Sequence, residues 1–120
     1  SKKLKAVIVT HIAGQSVDLD RLYSMARIYN VKIVEDASEA FGATYNGKKI
    51  GSTGADITCF DFSAHLKKNI CNGGMFVTND EKLYDRAKLL INHGINRDED
   101  ALDYIYDVVD IGTDYSMSRL

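Results

Sequence analysis

Apolar and polar residues follow each other along the chain in blocks that predict strands and helices in turn. A β-branched apolar run over residues 7–10 is typical of a buried strand. A helix is then predicted between Asp18 and Asn30 because apolar side chains recur at helical spacing, at Leu19, Leu22, Tyr23, Ala26 and Tyr29. A second strand is predicted over residues 31–34, running into Glu35-Asp36. This succession predicts a βαβ unit with parallel strands and a right-handed crossover.

The middle of the chain changes pattern. Asn46-Gly47, between residues 41–45 and 48–51, is a strong signal for a β-hairpin because both turn positions require positive φ. Two further strands are predicted over residues 57–62 and 75–78, with a polar loop between them. A helix capped by Asn79 or Asp80 follows and is expected to end at Gly94. The pattern predicts one α/β domain over residues 1–120.

Composition and charge exclude several classes of protein. The chain has 120 residues, 15 Lys+Arg against 17 Asp+Glu and a formal net charge of −2, so nothing indicates binding to nucleic acid or to an anionic membrane. No apolar run approaches the roughly 20 residues of a membrane span. Two cysteines are too few for a disulfide framework and lack the spacing of a zinc site, which favours a cytoplasmic location.

A few residues carry chemistry that could belong to a site. Asp36 follows the second strand at the end where α/β sheets bind ligands, and it is equally suited to capping the next turn. Adjacent strand residues point to opposite faces, so Glu35 and Asp36 do not predict a metal site. His11 is predicted to be a hydrogen-bonded structural residue. Lys67 and Lys68 form either a solvated pair or a nucleophile with a lowered pKa.

Eight segments together resemble the motifs of one enzyme family, in order and at the family's spacing. They are residues 10–15 (THIAGQ), 34–42 (VEDASEAFG), 45–51 (YNGKKIG), 59–62 (CFDF) with 72–75 (NGGM), 77–80 (VTND), 92–94 (NHG) and 114–117 (DYSM). The counterparts are V-H-x-x-G, E-D-x-A-x-A-x-G, Y-x-G-K-x-x-G, F-S-F-x-x-x-K with G-E-G-G, V-T-N-D, N-H-G and N-Y-R-M. These are motifs of the DegT/DnrJ/EryC/StrS family, which are sugar-nucleotide aminotransferases that use pyridoxal 5′-phosphate.

The resemblance implies a fold and a set of cofactor contacts. The fold is α/β, part of the large three-layer cofactor domain of a fold-type I pyridoxal-phosphate transferase, with a mostly parallel sheet and flanking helices. Asp36 matches the aspartate that pairs with the pyridinium nitrogen. Glu39 takes a position near the phenolic oxygen that is often Gln or His. Asp61 takes the place of a phosphate-binding serine, although a carboxylate repels phosphate, and Ser63 could substitute for that serine.

The resemblance leaves the Schiff-base lysine open. Ungapped counting from either side places Leu66 at that position. A slip of one residue selects Lys67 and a slip of two selects Lys68, which the long flexible lysine side chain tolerates. His65 is a third candidate because some dehydratase relatives carry histidine there. Lys67 is ranked first and Lys68 second.

The resemblance also implies a function for a longer protein. That protein would be a homodimer that transfers an amino group from glutamate to a 4-keto-sugar nucleotide for bacterial surface glycans, with a pseudaminic-acid-type subtype as the nearest match. The family's N-terminal part and small C-terminal domain are missing from these 120 residues. One alternative is a catalytically inactive binding or structural module, favoured by Leu66, Asp61 and Ser116. Another is a phosphoacceptor receiver domain, which requires an acidic pair that is not found after the first strand.

Overall fold

The computed structural model describes residues 3–63, 73–96 and 106–117. The helices and strands within these ranges are, in chain order, β1 (Ala6–Thr10), α1 (Leu19–Tyr29), β2 (Lys32–Asp36), β3 (Thr44–Tyr45), β4 (Lys48–Lys49), β5 (Ile57–Asp61), β6 (Gly74–Val77), α2 (Glu81–Leu90), β7 (Ile95–Asn96) and β8 (Asp107–Val108). A short 3₁₀ turn, Ile12–Gly14, follows β1. The fold is α/β, as predicted.

A four-stranded sheet in the order β1-β2-β5-β6 forms the centre of the structure. Strands β1, β2 and β5 run parallel, and β6 is antiparallel to β5. The predicted βαβ unit is confirmed, because α1 connects the parallel neighbours β1 and β2. The register places the carboxyl ends of three parallel strands at one edge of the sheet, where ligands bind in open α/β folds.

Capping residues delimit α1 where the sequence predicted. Asp18 accepts a hydrogen bond from the main-chain N–H of Arg21 at 3.2 Å, which satisfies one of the unpaired donors in the first turn. Asn30 ends the helix in the left-handed conformation, with φ of +50°. Both boundaries are therefore set by local side-chain and backbone chemistry.

The hairpin also forms where it was predicted. Asn46 and Gly47 have φ of +47° and +78°, which produces the tight turn between β3 and β4. The hydroxyl of Tyr45 donates to Asp18 Oδ1 and accepts from the N–H of Asp20, each at 3.2 Å. These contacts hold the hairpin against the N-terminus of α1.

Several predicted boundaries differ from the observed ones by one or more residues, and β2 and α2 show the physical reasons. Strand β2 begins at Lys32 and extends to Asp36, because its last residues continue the ladder with both β1 and β5. Helix α2 ends at Leu90 instead of Gly94. His93 and Gly94 have φ of +57° and +70°, so the chain turns there and cannot continue a right-handed helix.

Helix α1 covers one face of the sheet. The buried core on that side is built from α1, the loop after β2, the hairpin and β5, and consists of Leu19, Ala37, Ala40, Ile50 and Phe60. On the opposite face Ile8 is 72% exposed. Within the described ranges, no helix is both long enough and apolar enough to cross a membrane.

Candidate active site

The candidate site is centred on Asp36, the last residue of β2. In the sheet register Asp36 lies between Thr10 on β1 and Cys59 on β5, so the three side chains share one face. Burial and the carboxylate of Asp36 raise the pKa of the Cys59 thiol, which therefore keeps its proton at neutral pH. Asp36 thus stands between two neutral side chains at the carboxyl edge of the sheet.

The Asp36 carboxylate is held by hydrogen bonds in a fixed orientation. Its Oδ1 accepts from the hydroxyl and the main-chain N–H of Ser38, at 2.6 and 3.1 Å, and its Oδ2 lies 3.5 Å from the hydroxyl of Thr10. The hydroxyl and N–H of Ser38 lower the pKa of Asp36, with smaller contributions from Thr10 and His11. Asp36 is consequently a fixed anion at neutral pH.

Asp36 therefore caps the turn that follows it, as one of its two predicted roles requires. Capping by Oδ1 does not prevent the second role, because a carboxylate offers about four acceptor sites on its two oxygens. A fixed anion at the ligand-binding edge of a parallel sheet fits a cationic ring nitrogen such as that of a protonated pyridine. The residue type, its charge and its position agree with the contact that the resemblance implies.

Glu39 is predicted near the same ligand and lies in the loop after β2. Its Oε2 accepts a hydrogen bond of 2.7 Å from the main-chain N–H of Ala13, in the 3₁₀ turn after β1. Ala13 has φ of +54°, an unusual value for alanine, and this hydrogen bond helps to hold it. Glu39 thus joins the loops that follow β1 and β2 beside the candidate site.

Asp61 and Ser63, the two candidates for the phosphate end, form a motif like that of Asp36 and Ser38. The main-chain N–H of Ser63 donates to Asp61 Oδ1 at 2.8 Å, and its hydroxyl donates to Oδ2 at 2.6 Å. The Ser63 hydroxyl proton is thereby directed to a carboxylate. In this arrangement the pair presents an anion where the resemblance places a neutral hydroxyl donor.

The lysine candidates lie outside the described residues. Lys67 and Lys68 fall in the segment 64–72, as do Leu66 and His65. Their assignment remains a prediction from the sequence. Ser63 and Gly73 mark the ends of the described chain on either side.

A buried polar cluster beneath the sheet was missed by the sequence reasoning. Glu35 is fully buried, and polar side chains from four places in the fold surround its carboxylate. These places are the residue after β1, helix α1, the loop before β5 and β5 itself, which supply His11, Tyr23, Thr53 and Thr58. The signal was present in the alternation of β2, where Ile33 and Glu35 share the inward face. A carboxylate at an inward position predicts partners supplied by neighbouring elements.

Ser38→Ala is expected to raise the pKa of Asp36 because it removes the strongest hydrogen bond to the carboxylate. A lowered folded-state pKa contributes stability above the unfolded-state pKa, and this contribution is lost as pH falls through the folded-state value. The stability difference between wild type and variant should therefore disappear in acid. Carboxyl ¹³C NMR titration measures the pKa directly.

Ser116→Ala provides the matched control for Ser38→Ala. The Ser116 hydroxyl and N–H lower the pKa of Asp114 in the same local motif. Removing the Ser116 hydroxyl should raise the pKa of Asp114 and leave the pKa of Asp36 unchanged. An Asp36 titration curve unaffected by Ser38→Ala would contradict the assigned cause.

Comparisons with known proteins identify relatives that match nearly all of the chain. The chain is 35% identical over 120 residues to the GDP-perosamine synthase of Escherichia coli O157:H7, covering 100% of this chain and 31% of that protein. It is 34% identical over 118 residues to the UDP-4-amino-4,6-dideoxy-N-acetyl-beta-L-altrosamine transaminase of Campylobacter jejuni serotype O:2, covering 98% and 30%. The chain therefore spans about a third of the length of these relatives.

A solved structure extends the similarity to three dimensions. Helicobacter pylori PseC, an aminotransferase involved in the biosynthesis of pseudoaminic acid, superposes with a TM-score of 0.86 and 28% identity, covering 96% of this chain and 30% of that one. The model of the DegT/DnrJ/EryC1/StrS aminotransferase family matches residues 1–120. With its α/β sheet, its fixed Asp36 and this match over its whole length, the chain belongs to the DegT/DnrJ/EryC1/StrS aminotransferase family.

Proposed function

We propose that this chain is the part of a pyridoxal-phosphate-dependent aminotransferase that holds the ring nitrogen of the cofactor. The observation that carries the proposal is the fixed, ionised carboxylate of Asp36 at the carboxyl edge of three parallel strands. Residues 1–120 correspond in this proposal to the second half of the large cofactor domain. The N-terminal part and the small C-terminal domain of the family complete the enzyme.

Asp36 would act as the counter-ion of the cofactor ring. When bound, the cofactor supplies an electron sink for the carbanion formed during transamination, and the sink requires a protonated ring nitrogen. An anion at Asp36 favours that protonated form, because an opposite charge at close range stabilises a cation. Ser38 keeps the carboxylate oriented, so little reorganisation is needed when the ligand binds.

Further contacts belong to the same proposal. Glu39 would border the ring from the loop after β2, and Ser63 would approach the phosphate if its hydroxyl turned away from Asp61. Lys67, with Lys68 as the second choice, would provide the amine that attaches to the cofactor. Such an amine requires a lowered pKa, which desolvation or a neighbouring cation provides.

The proposed substrates are a nucleotide-linked 4-keto sugar and glutamate as the amino donor. The named relatives include enzymes for GDP-linked and UDP-linked sugars, which supports nucleotide sugars as the substrate class. A homodimer located in the cytoplasm and a role in bacterial surface-glycan synthesis complete the proposal. The pseudaminic-acid-type subtype is supported by the similarity to the Helicobacter pylori enzyme.

A second candidate function is an inactive module of the same fold. It is supported by Asp61, which accepts two hydrogen bonds from Ser63 and which the resemblance aligns with a phosphate-binding serine, where a carboxylate would repel a phosphate. Such a module would retain the sheet and Asp36 without attaching the cofactor covalently. The two functions differ in whether a lysine–cofactor bond forms.

The absorbance spectrum of a protein of the relatives' length that carries this chain tests the proposed function. With pyridoxal phosphate it should show the visible band of the lysine-bound cofactor, and borohydride should abolish this band. Residues 1–120 alone should not catalyse transamination, because contacts from several segments are required. Absence of the band in the longer protein would favour the inactive module.

A further inference from the structure

A fully buried histidine and glutamate lie directly behind Asp36. The side chains of His11 and Glu35 are both 0% exposed, and His11 Nε2 lies 3.3 Å from Glu35 Oε2. We propose that His11 is a positioning residue which, through Glu35 and the main chain of β2, fixes the carboxylate of Asp36 for its contact with the cofactor. The inference rests on the proposed function.

His11 is joined to β2 through both its main chain and its side chain. Its N–H donates to the carbonyl oxygen of Asp36 at 3.0 Å. Its Nδ1 accepts from the N–H of Val17 at 3.4 Å, so the ring proton is placed on Nε2, the atom that faces Glu35. One residue therefore contacts the peptide of Asp36 and the side chain of the residue before it.

Glu35 is in turn held by elements on the covered side of the sheet. The hydroxyl of Tyr23 on α1 donates to Oε1, and the hydroxyls of Thr53 and Thr58 lie 3.3 Å from Oε1 and Oε2. Burial and the neighbouring Glu35 raise the pKa of Tyr23, which keeps its donor proton. Because Glu35 and Asp36 share a peptide bond, fixing Glu35 also limits the movement of Asp36.

Stability alone does not account for the pair. When both partners of a buried polar pair are replaced by apolar groups of the same shape, the loss of stability is small and the change can be stabilising. Within the described part of the chain, His11 Nε2 has no well-aligned hydrogen bond, and its polar neighbour is the Glu35 carboxylate at 3.3 Å. A costly pair with this geometry, joined to the peptide of Asp36, is explained by a positioning role.

Two substitutions of His11 in the longer protein separate the contacts of the imidazole. His11→Asn places an amide oxygen near the position of Nδ1. This variant keeps the hydrogen bond from the Val17 N–H, and its shorter side chain no longer contacts Glu35. His11→Gln places an amide nitrogen near the position of Nε2 and keeps the contact with Glu35. His93→Asn is the matched control, because His93 is exposed and has φ of +57°, a conformation that asparagine tolerates.

The readouts are the Kd for pyridoxal phosphate and the ¹⁵N chemical shift of the labelled pyridine nitrogen. His11→Asn should weaken binding about tenfold, the scale expected for a poorer contact between a displaced Asp36 carboxylate and the ring nitrogen, and move the ¹⁵N shift toward the neutral ring. His11→Gln and His93→Asn should resemble wild type in both. If the role of His11 were purely structural, His11→Asn would lower the melting temperature, and the molecules that remain folded with cofactor bound would keep the wild-type ¹⁵N shift.

The double variant His11→Asn/Glu35→Gln covers the case in which His11→Asn fails to fold. It replaces the buried carboxylate that lost its donor by a neutral amide, which reduces the cost of the unpaired group. This variant should fold and still show weakened binding and the altered ¹⁵N shift. A wild-type shift and Kd in His11→Asn, or in the double variant, would overturn the inference while leaving the proposed function intact. Failure of wild type itself to bind the cofactor would overturn both.

Discussion

Asp36→Ala, in a protein of the relatives' length that carries this chain, is expected to lower the rate of transamination by about two to three orders of magnitude. The substitution removes the fixed anion opposite the ring nitrogen, so the ring loses its proton and becomes a poorer electron sink. Cofactor affinity should fall as well. Stopped-flow single-turnover rates and equilibrium binding of pyridoxal phosphate measure the two effects separately.

Asp36→Asn distinguishes the charge from the turn cap. Asparagine retains an oxygen that accepts from Ser38 and can keep the turn, whereas it has no charge to offer the ring. We expect the rate to fall nearly as far as in Asp36→Ala. Asp114→Asn is the matched control, because Asp114 accepts hydrogen bonds from the N–H and hydroxyl of Ser116 in the same motif. Near-normal turnover in Asp36→Asn would show that Asp36 serves the turn alone.

Lys67→Ala is expected to abolish covalent attachment of the cofactor and to reduce turnover by several orders of magnitude, because it removes the proposed nucleophile. Borohydride reduction of the wild-type protein with pyridoxal phosphate, followed by peptide mapping, should place the label on Lys67. Lys82→Ala, which removes an exposed lysine on α2, should leave the labelling unchanged.

The mapping experiment also separates the alternatives to Lys67. Label on Lys68 would move the attachment site by one residue and preserve the aminotransferase mechanism. Absence of label from the whole segment 63–74 would contradict covalent catalysis and favour the inactive module. Lysine side chains are long enough to serve from either position, so the sequence register alone does not distinguish them.

Local chemistry made several parts of the fold predictable. Asp18 and Asn30 delimit α1 because an N-terminal acceptor and a left-handed C-cap act within one turn of the chain. Asn46-Gly47 produces the hairpin for the same kind of reason. The position of Asp36 at the carboxyl edge followed from the βαβ pattern, because parallel strands have a constant direction in such a unit.

Long-range packing determined the features of the site that these local rules do not predict. The partners of Glu35 come from residues that are 12 to 24 positions away in the chain, such as Tyr23, Thr58 and His11, and no local pattern brings them together. The antiparallel pairing of β6 with β5 is likewise a contact between separate segments of the chain. Motifs along the chain, through their resemblance to a known family, therefore predicted the family, and the spacing of apolar and polar residues predicted the strands and the position of the carboxylate. The orientation of that carboxylate and the buried pair behind it depend on contacts between distant segments. These contacts contribute free energy only after folding has brought the segments together.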